Sequence, residues 1–163
     1  MKRIYLLLVR IRSTILVFLT HKLALPLLKI IRKPEVFPYS SAELHEMPEG
    51  TLGKDLINML EENRLTLLAH YARHDIKHIL LGYPTTDEGE VSLQSFMLGN
   101  GHISFPVLIT VVFGSLTMPE YWVSFIKAYR RGKTSVPINN WNWFAIVPQR
   151  TSELQKLINQ NPG

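Results

Sequence analysis

Only one stretch of this 163-residue chain has the composition of a buried strand, and a strand cannot pair with itself. That stretch is Ile103–Phe113, almost wholly apolar and rich in β-branched residues, with Pro106 inside it. By period alone it reads as a buried strand or a buried helix. A lone strand would leave its backbone N–H and C=O groups without a ladder, and no other segment offers a convincing partner. The run is therefore taken as a helix and the chain as all-α. The expected architecture is a single-domain helical bundle, residues 35–163, preceded by a basic amphipathic helix, residues 1–34. One hundred and sixty-three residues bury one sizeable core but hardly two.

Composition narrows the class. Apolar residues make up 46% and charged residues 19%, which excludes a disordered or acidic-tail protein. With no cysteine, disulfides, thiolate zinc sites and cysteine-held iron–sulfur clusters are all excluded. The formal charge of +5 resembles a nucleic-acid binder until its position is considered. Residues 1–34 hold eight Lys/Arg and no acid; the rest holds ten Lys/Arg against thirteen Asp/Glu, a net −3. Basicity confined to one end points to a surface anchor, with no nucleic acid as partner.

That end is greasy but interrupted. Arg10, Arg12 and Lys22 break every window of about 18 apolar residues, so a membrane span is not expected. At 100° per residue Arg3, Arg10, His21, Lys22, Lys29, Arg32 and Lys33 share one sector, with Arg12 clearly outside it. Such a helix lies in a lipid headgroup layer, each Lys/Arg near anionic lipid contributing about 1 kcal/mol. The competing reading packs it on its own domain or a partner subunit. A basic, acid-free transit peptide is a further alternative.

Residues 33–50 carry Pro34, Pro38 and Pro48 and read as an extended linker. Amphipathic patterns predict helices over Thr51–Glu62 and Leu65–Leu81, the second stopped by Gly82-Tyr83-Pro84. Thr86 then caps a helix whose first turns hold Asp87, Glu88 and Glu90. Pro119–Arg131 is amphipathic through Trp122, Phe125, Ile126 and Tyr129, with Gly132 as its end. Thr151–Asn159 is the last helix, with Glu153 at a loose capping-box spacing.

The sharpest chemical feature is His74-Asp75-Ile76-Lys77-His78, with Glu90 beyond the turn. On a helix, residues i and i+4 stand about 6 Å apart on one face, so His74 and His78 can share a metal ion. Asp75 lies about 100° round the same turn and Glu90 can face back from the next helix, giving two imidazoles and two carboxylates. That set suits zinc first, with iron or manganese as alternatives. His70 extends the stripe by one step, although a hydrogen-bonded or solvated role is the simpler reading for it. A zincin protease is excluded because its general base is a Glu where Asp75 stands. His-Asp phosphohydrolases need further ligands from distant helices, and the body offers only His45 and His102 besides the stripe.

The run His74-Asp75-x-x-His78 through Glu90 resembles the metal motif of the ubiquinone-biosynthesis Coq-four family. Met47-Pro48-Glu49-Gly50-Thr51-Leu52-Gly53 resembles its Pro-x-Gly-Thr-Leu-Gly entry, and Gly89-Glu90-Val91-Ser92-Leu93 its Gly-Glu-x-x-Leu continuation. The likeness covers roughly residues 45–158. Inside the motif, Ile76 and Lys77 stand where the family often has aromatics, and Asn142 follows Trp141 where an acid is usual. The resemblance implies an all-helical, membrane-peripheral metalloprotein that binds a polyprenylated quinone precursor and works beside other quinone-biosynthesis proteins. It would lie on the inner face of the bacterial inner membrane or the matrix side of the mitochondrial one; a homo-oligomer is compatible. Members are described as catalysts replacing the ring carboxylate by a hydroxyl and as organisers of a biosynthetic complex. Both an oxidative decarboxylase and a non-catalytic lipid-binding scaffold follow, with catalytic residues unassigned. Phe96, Met97, Phe113, Trp122 and Phe125 are the candidates to line a groove for the isoprenoid tail.

Overall fold

A computed structural model describes residues 10–15 and 36–160. Besides a short helical stretch at 10–15, the described residues form seven α-helices and one 3-10 helix. They are α1 (Ser41–Glu46), α2 (Leu52–Glu62), α3 (Ala72–Leu81), α4 (Asp87–Gly99), α5 (Phe105–Thr117), the 3-10 turn Pro119–Tyr121, α6 (Trp122–Thr134) and α7 (Thr151–Ile158). No strand occurs among them; one isolated antiparallel bridge joins Thr51 to Arg150. The all-α expectation is met. Most of the expected basic helix 1–34 lies outside the described residues.

The chain forms two compact units, one from Met1–Pro34 and Thr85–Lys133, the other from Glu35–Pro84 and Thr134–Gly163. In the second, α2 packs on α1 and α3, and α3 on α7. Leu44, Leu52, Leu56, Leu60, Ile76, Leu80, Leu154 and Ile158 are buried there, the apolar stripes of four short helices. The first turn of α2 is satisfied from outside. Leu52 and Gly53 donate their N–H groups to the carbonyls of Gln149 and Val147, both at 2.9 Å, while the Thr51 hydroxyl caps Lys54. In the first unit, α4 packs on α5, and Val91, Met118 and Phe125 form a core cluster.

Four expectations need correction. The stretch 33–50 is not all linker: Ser40 and Glu43 close a capping box, Ser41–Glu46 is helical, and Leu44 is fully buried. The Leu65–Leu81 helix begins only at Ala72. The carbonyl of Ala69 accepts from the Phe37 N–H at 3.0 Å, and Leu65 and Leu68 are exposed, so no buried stripe draws 65–71 into a helix. Glu153 completes no capping box; the Thr151 hydroxyl donates to Asp55 instead, and Arg150 at the cap offers no side-chain bond.

Gly132 does not end its helix, which continues to Thr134. Its role is close approach. A Cβ there would strike the Phe96 carbonyl, and one on Gly99 would strike the Tyr129 carbonyl. Asn100 Nδ2 fills the contact by donating to the Gly132 carbonyl at 3.1 Å. Bare backbone on both helices lets α4 and α6 meet more closely than side chains allow. Gly132→Ala is accordingly expected to destabilise the fold by about 1–3 kcal/mol, the usual cost of overpacking. Urea denaturation followed by far-UV circular dichroism checks it, and an unchanged midpoint would refute the close-contact reading.

Candidate metal centre

The two histidines come together within one unit. α3 places them one turn apart, with Nε2 of His74 and Nε2 of His78 separated by 3.1 Å. Their rings stand edge to face, centroids 4.8 Å apart. His78 is buried and His74 half-buried.

Gly82 sets this geometry. With φ +71° it takes the left-handed conformation that closes α3, its N–H donating to the His78 carbonyl at 2.9 Å. The chain reverses, and Tyr83 meets the last turn twice. Its N–H donates to the His78 carbonyl at 3.2 Å, and its own carbonyl lies 3.0 Å from His78 Nδ1. A carbonyl can only accept, so Nδ1 carries the proton. In the neutral ring, Nε2 is then the acceptor nitrogen, facing Nε2 of His74. A backbone carbonyl holding the far nitrogen of an imidazole is the usual support for a metal-bound histidine. The spacing fits as well: two nitrogens each about 2.0–2.1 Å from a tetrahedral zinc are about 3.3 Å apart.

A second contact fixes the orientation of α3. Arg73 and Lys77, each one residue before a histidine, both lie over the Trp143 ring at 5.4 Å from its centroid. Cation–π contact with a buried indole directs that face of the helix to Trp143, and the histidines point about 100° round from it.

Asp75 is half-buried in the first turn of α3, one position past His74. His70 precedes the helix in an exposed turn, so the stripe ends at His74. Glu90 belongs to the other unit. Thr86 caps α4 as expected, accepting from the Gly89 N–H, and Glu90 in the first turn accepts from Gln94 Nε2 at 2.9 Å. Of the five groove candidates, Phe96, Met97 and Phe125 are buried core, Phe113 packs partly buried on the core cluster, and Trp122 is exposed. A surface depression between α2 and α7, lined by Asp55, Asn58, Glu62, Arg150 and Gln155, includes neither histidine. The pattern of residue types could not reveal Tyr83, which acts through its backbone; the only signal was a glycine stop four residues after the second histidine.

Comparison with known proteins gives a consistent direction. No family model matches the chain. It is 33% identical over 73 aligned residues to the mitochondrial ubiquinone biosynthesis protein COQ4 homolog of Danio rerio, covering 34% of this chain and 27% of that protein. The match thus spans well under a third of that relative's length. The fold is shared with the crystal structure of a candidate ubiquinone biosynthesis protein from Nostoc punctiforme, with a TM-score of 0.64 and 20% identity, over 93% of this chain and 81% of that one. The aligned 73 residues are similar to a protein of the family that the histidine motif resembles, and the solved structure shows a shared fold.

The Gly82 turn yields a direct test. A Cβ at Gly82 meets nothing within 4 Å, so the cost of Gly82→Ala is conformational alone, about 1–2 kcal/mol. Gly82→Asn should cost less, because asparagine tolerates the left-handed region. Thermal unfolding of the two variants checks the order; equal losses would mean that the backbone conformation is not what matters.

Proposed function

We propose that this chain is a ubiquinone-biosynthesis protein of the Coq-four family. In this reading it holds a divalent metal on His74 and His78, with Asp75 and Glu90 as carboxylate ligands, and acts on a polyprenylated hydroxybenzoate-like ring. The observation that carries the proposal is the pair of Nε2 atoms at 3.1 Å with the His78 proton committed to the Tyr83 carbonyl. Zinc suits two imidazoles and two carboxylates; iron or manganese are alternatives.

The proposed reaction replaces the ring carboxylate by a hydroxyl. The ring–carboxylate bond breaks and carbon dioxide leaves, water supplies the oxygen of the new carbon–oxygen bond, and dioxygen takes up the two electrons and two protons released, leaving as hydrogen peroxide. A bound metal would supply Lewis acidity toward the ring phenolate or carboxylate, and redox chemistry if it is iron or manganese. The chain's own part is positional. Tyr83 holds the His78 proton on Nδ1, and the α3 turn keeps both Nε2 atoms on one face. Glu90 contributes negative charge from the first turn of α4. Residues 1–34 are proposed to attach the protein to the membrane surface where such a precursor resides, and other quinone-biosynthesis proteins are the proposed partners.

His78→Ala is expected to weaken metal binding by more than the roughly 10–100-fold that loss of a supporting hydrogen bond costs. Elemental analysis of the purified variant reads this; stoichiometric metal in it would place the site elsewhere. Glu90→Gln keeps size but removes a charge, so a folded protein should result that accumulates the carboxylated precursor in cells. Quinone-intermediate profiles normalised to protein level separate the classes. Normal final quinone with metal-depleted Glu90→Gln would leave the lipid-binding scaffold. Charge reversal at Arg10, Lys22 and Lys29 should reduce flotation with anionic vesicles, and added salt should act in the same direction.

A further inference from the structure

The unit built on α4 and α5 exposes an apolar surface that its core does not use. On α5 the buried residues Val107, Thr110 and Gly114 share one side. Phe105, Leu108, Val112 and Leu116 form a second stripe on the opposite side, and all are exposed, Leu116 at 77% and Val112 at 53%. The helix has no ionisable residue at all. A helix apolar all round belongs in a core or against lipid, and here half of it faces outward.

α6 continues the surface. Phe125, Ala128 and Gly132 are buried, while Trp122, Ile126 and Tyr129 make an exposed stripe at i, i+4 and i+7. Trp122 joins the two helices: its indole N–H donates to the Ser115 carbonyl of α5 at 2.6 Å, and its ring stays 52% exposed. α6 carries Lys127, Arg130, Arg131 and Lys133 and no acid. The preceding Glu120 is bonded to Arg12 at 2.8 Å, which holds its carboxyl below the usual carboxylate range. The patch is therefore apolar at its centre and positive at one margin.

We propose that this α5–α6 face docks flat on an anionic lipid surface, independently of the metal site. Charge decides among the occupants. Two copies meeting through this face would oppose basic margins, whereas anionic headgroups attract each Lys or Arg. Neither helix alone is long and apolar enough to cross a membrane; the two pass only as a pair bent by 105°. That bend suits two helices lying in the interfacial plane, with apolar side chains among the acyl tails and basic ones at the headgroups. Residues 10–15 are tied to the same unit, since Arg12 also donates to the Thr117 carbonyl at the end of α5 and Ser13 to Asp87.

The test uses the full chain and sedimentation with phosphatidylglycerol-containing and pure phosphatidylcholine vesicles. Val112→Glu with Leu116→Glu should lower partitioning to both by about tenfold or more, since each loses a buried apolar side chain. Lys127→Glu with Lys133→Glu should lower it on the anionic vesicles only. Both sites are exposed, so circular dichroism and metal content should match the unsubstituted protein. Brominated lipids should quench tryptophan emission in the native chain and much less in Trp122→Phe. Native partitioning by Val112→Glu/Leu116→Glu would overturn the proposal. Loss of a dimer in these variants, with vesicle binding intact, would overturn it in favour of a second copy.

Discussion

The last turn of α3 is where the local constraints meet. Gly82 in the left-handed region lets the chain fold back so that Tyr83 both gives a hydrogen bond to the His78 carbonyl and takes one from the His78 ring. A residue with a Cβ would occupy that conformation at a cost, and a straight continuation would carry the Tyr83 carbonyl away from the ring. The tautomer of His78, the nitrogen it turns to His74 and the end of the helix are thus set by one backbone reversal. Trp143 completes the arrangement from the other flank by gathering Arg73 and Lys77.

Glycine acts differently in the other unit. Gly99 and Gly132 have ordinary helical backbones, and what they supply is missing volume. The α4–α6 contact then uses Phe125 and its neighbours for the core and leaves Trp122, Ile126 and Tyr129 outside. The same close packing that stabilises the unit also determines which half of an evenly apolar sequence remains in water.

Much of the candidate centre was legible in the residue order. The i, i+4 spacing of His74 and His78, the Gly82 stop and the Thr86 cap follow from helix geometry and capping chemistry, which act over four residues or fewer. His70 stands exposed before the helix, in line with the simpler reading of it; what holds 65–71 out of the helix is the bond of Ala69 to Phe37, thirty-two positions away, and no local rule carries that information. The helix at Ser41–Glu46 was signalled by Ser40 and Glu43 but was outweighed by the three prolines around it. The groove candidates were chosen by hydrophobicity, which does not distinguish Phe96, which is core, from Trp122, which is exposed.

The sequence by itself determined that the chain is helical, that its basic charge sits at one end, and that two imidazoles can share a helix face. Each of these depends on composition or on spacing within a turn. Tertiary contacts set which nitrogen of His78 carries the proton, why Gly132 must lack a side chain, and which apolar residues of α5 and α6 stay exposed. Those properties depend on a carbonyl, a neighbouring backbone or a packed core brought from elsewhere in the chain, and burial belongs to the surroundings of a residue and not to its type.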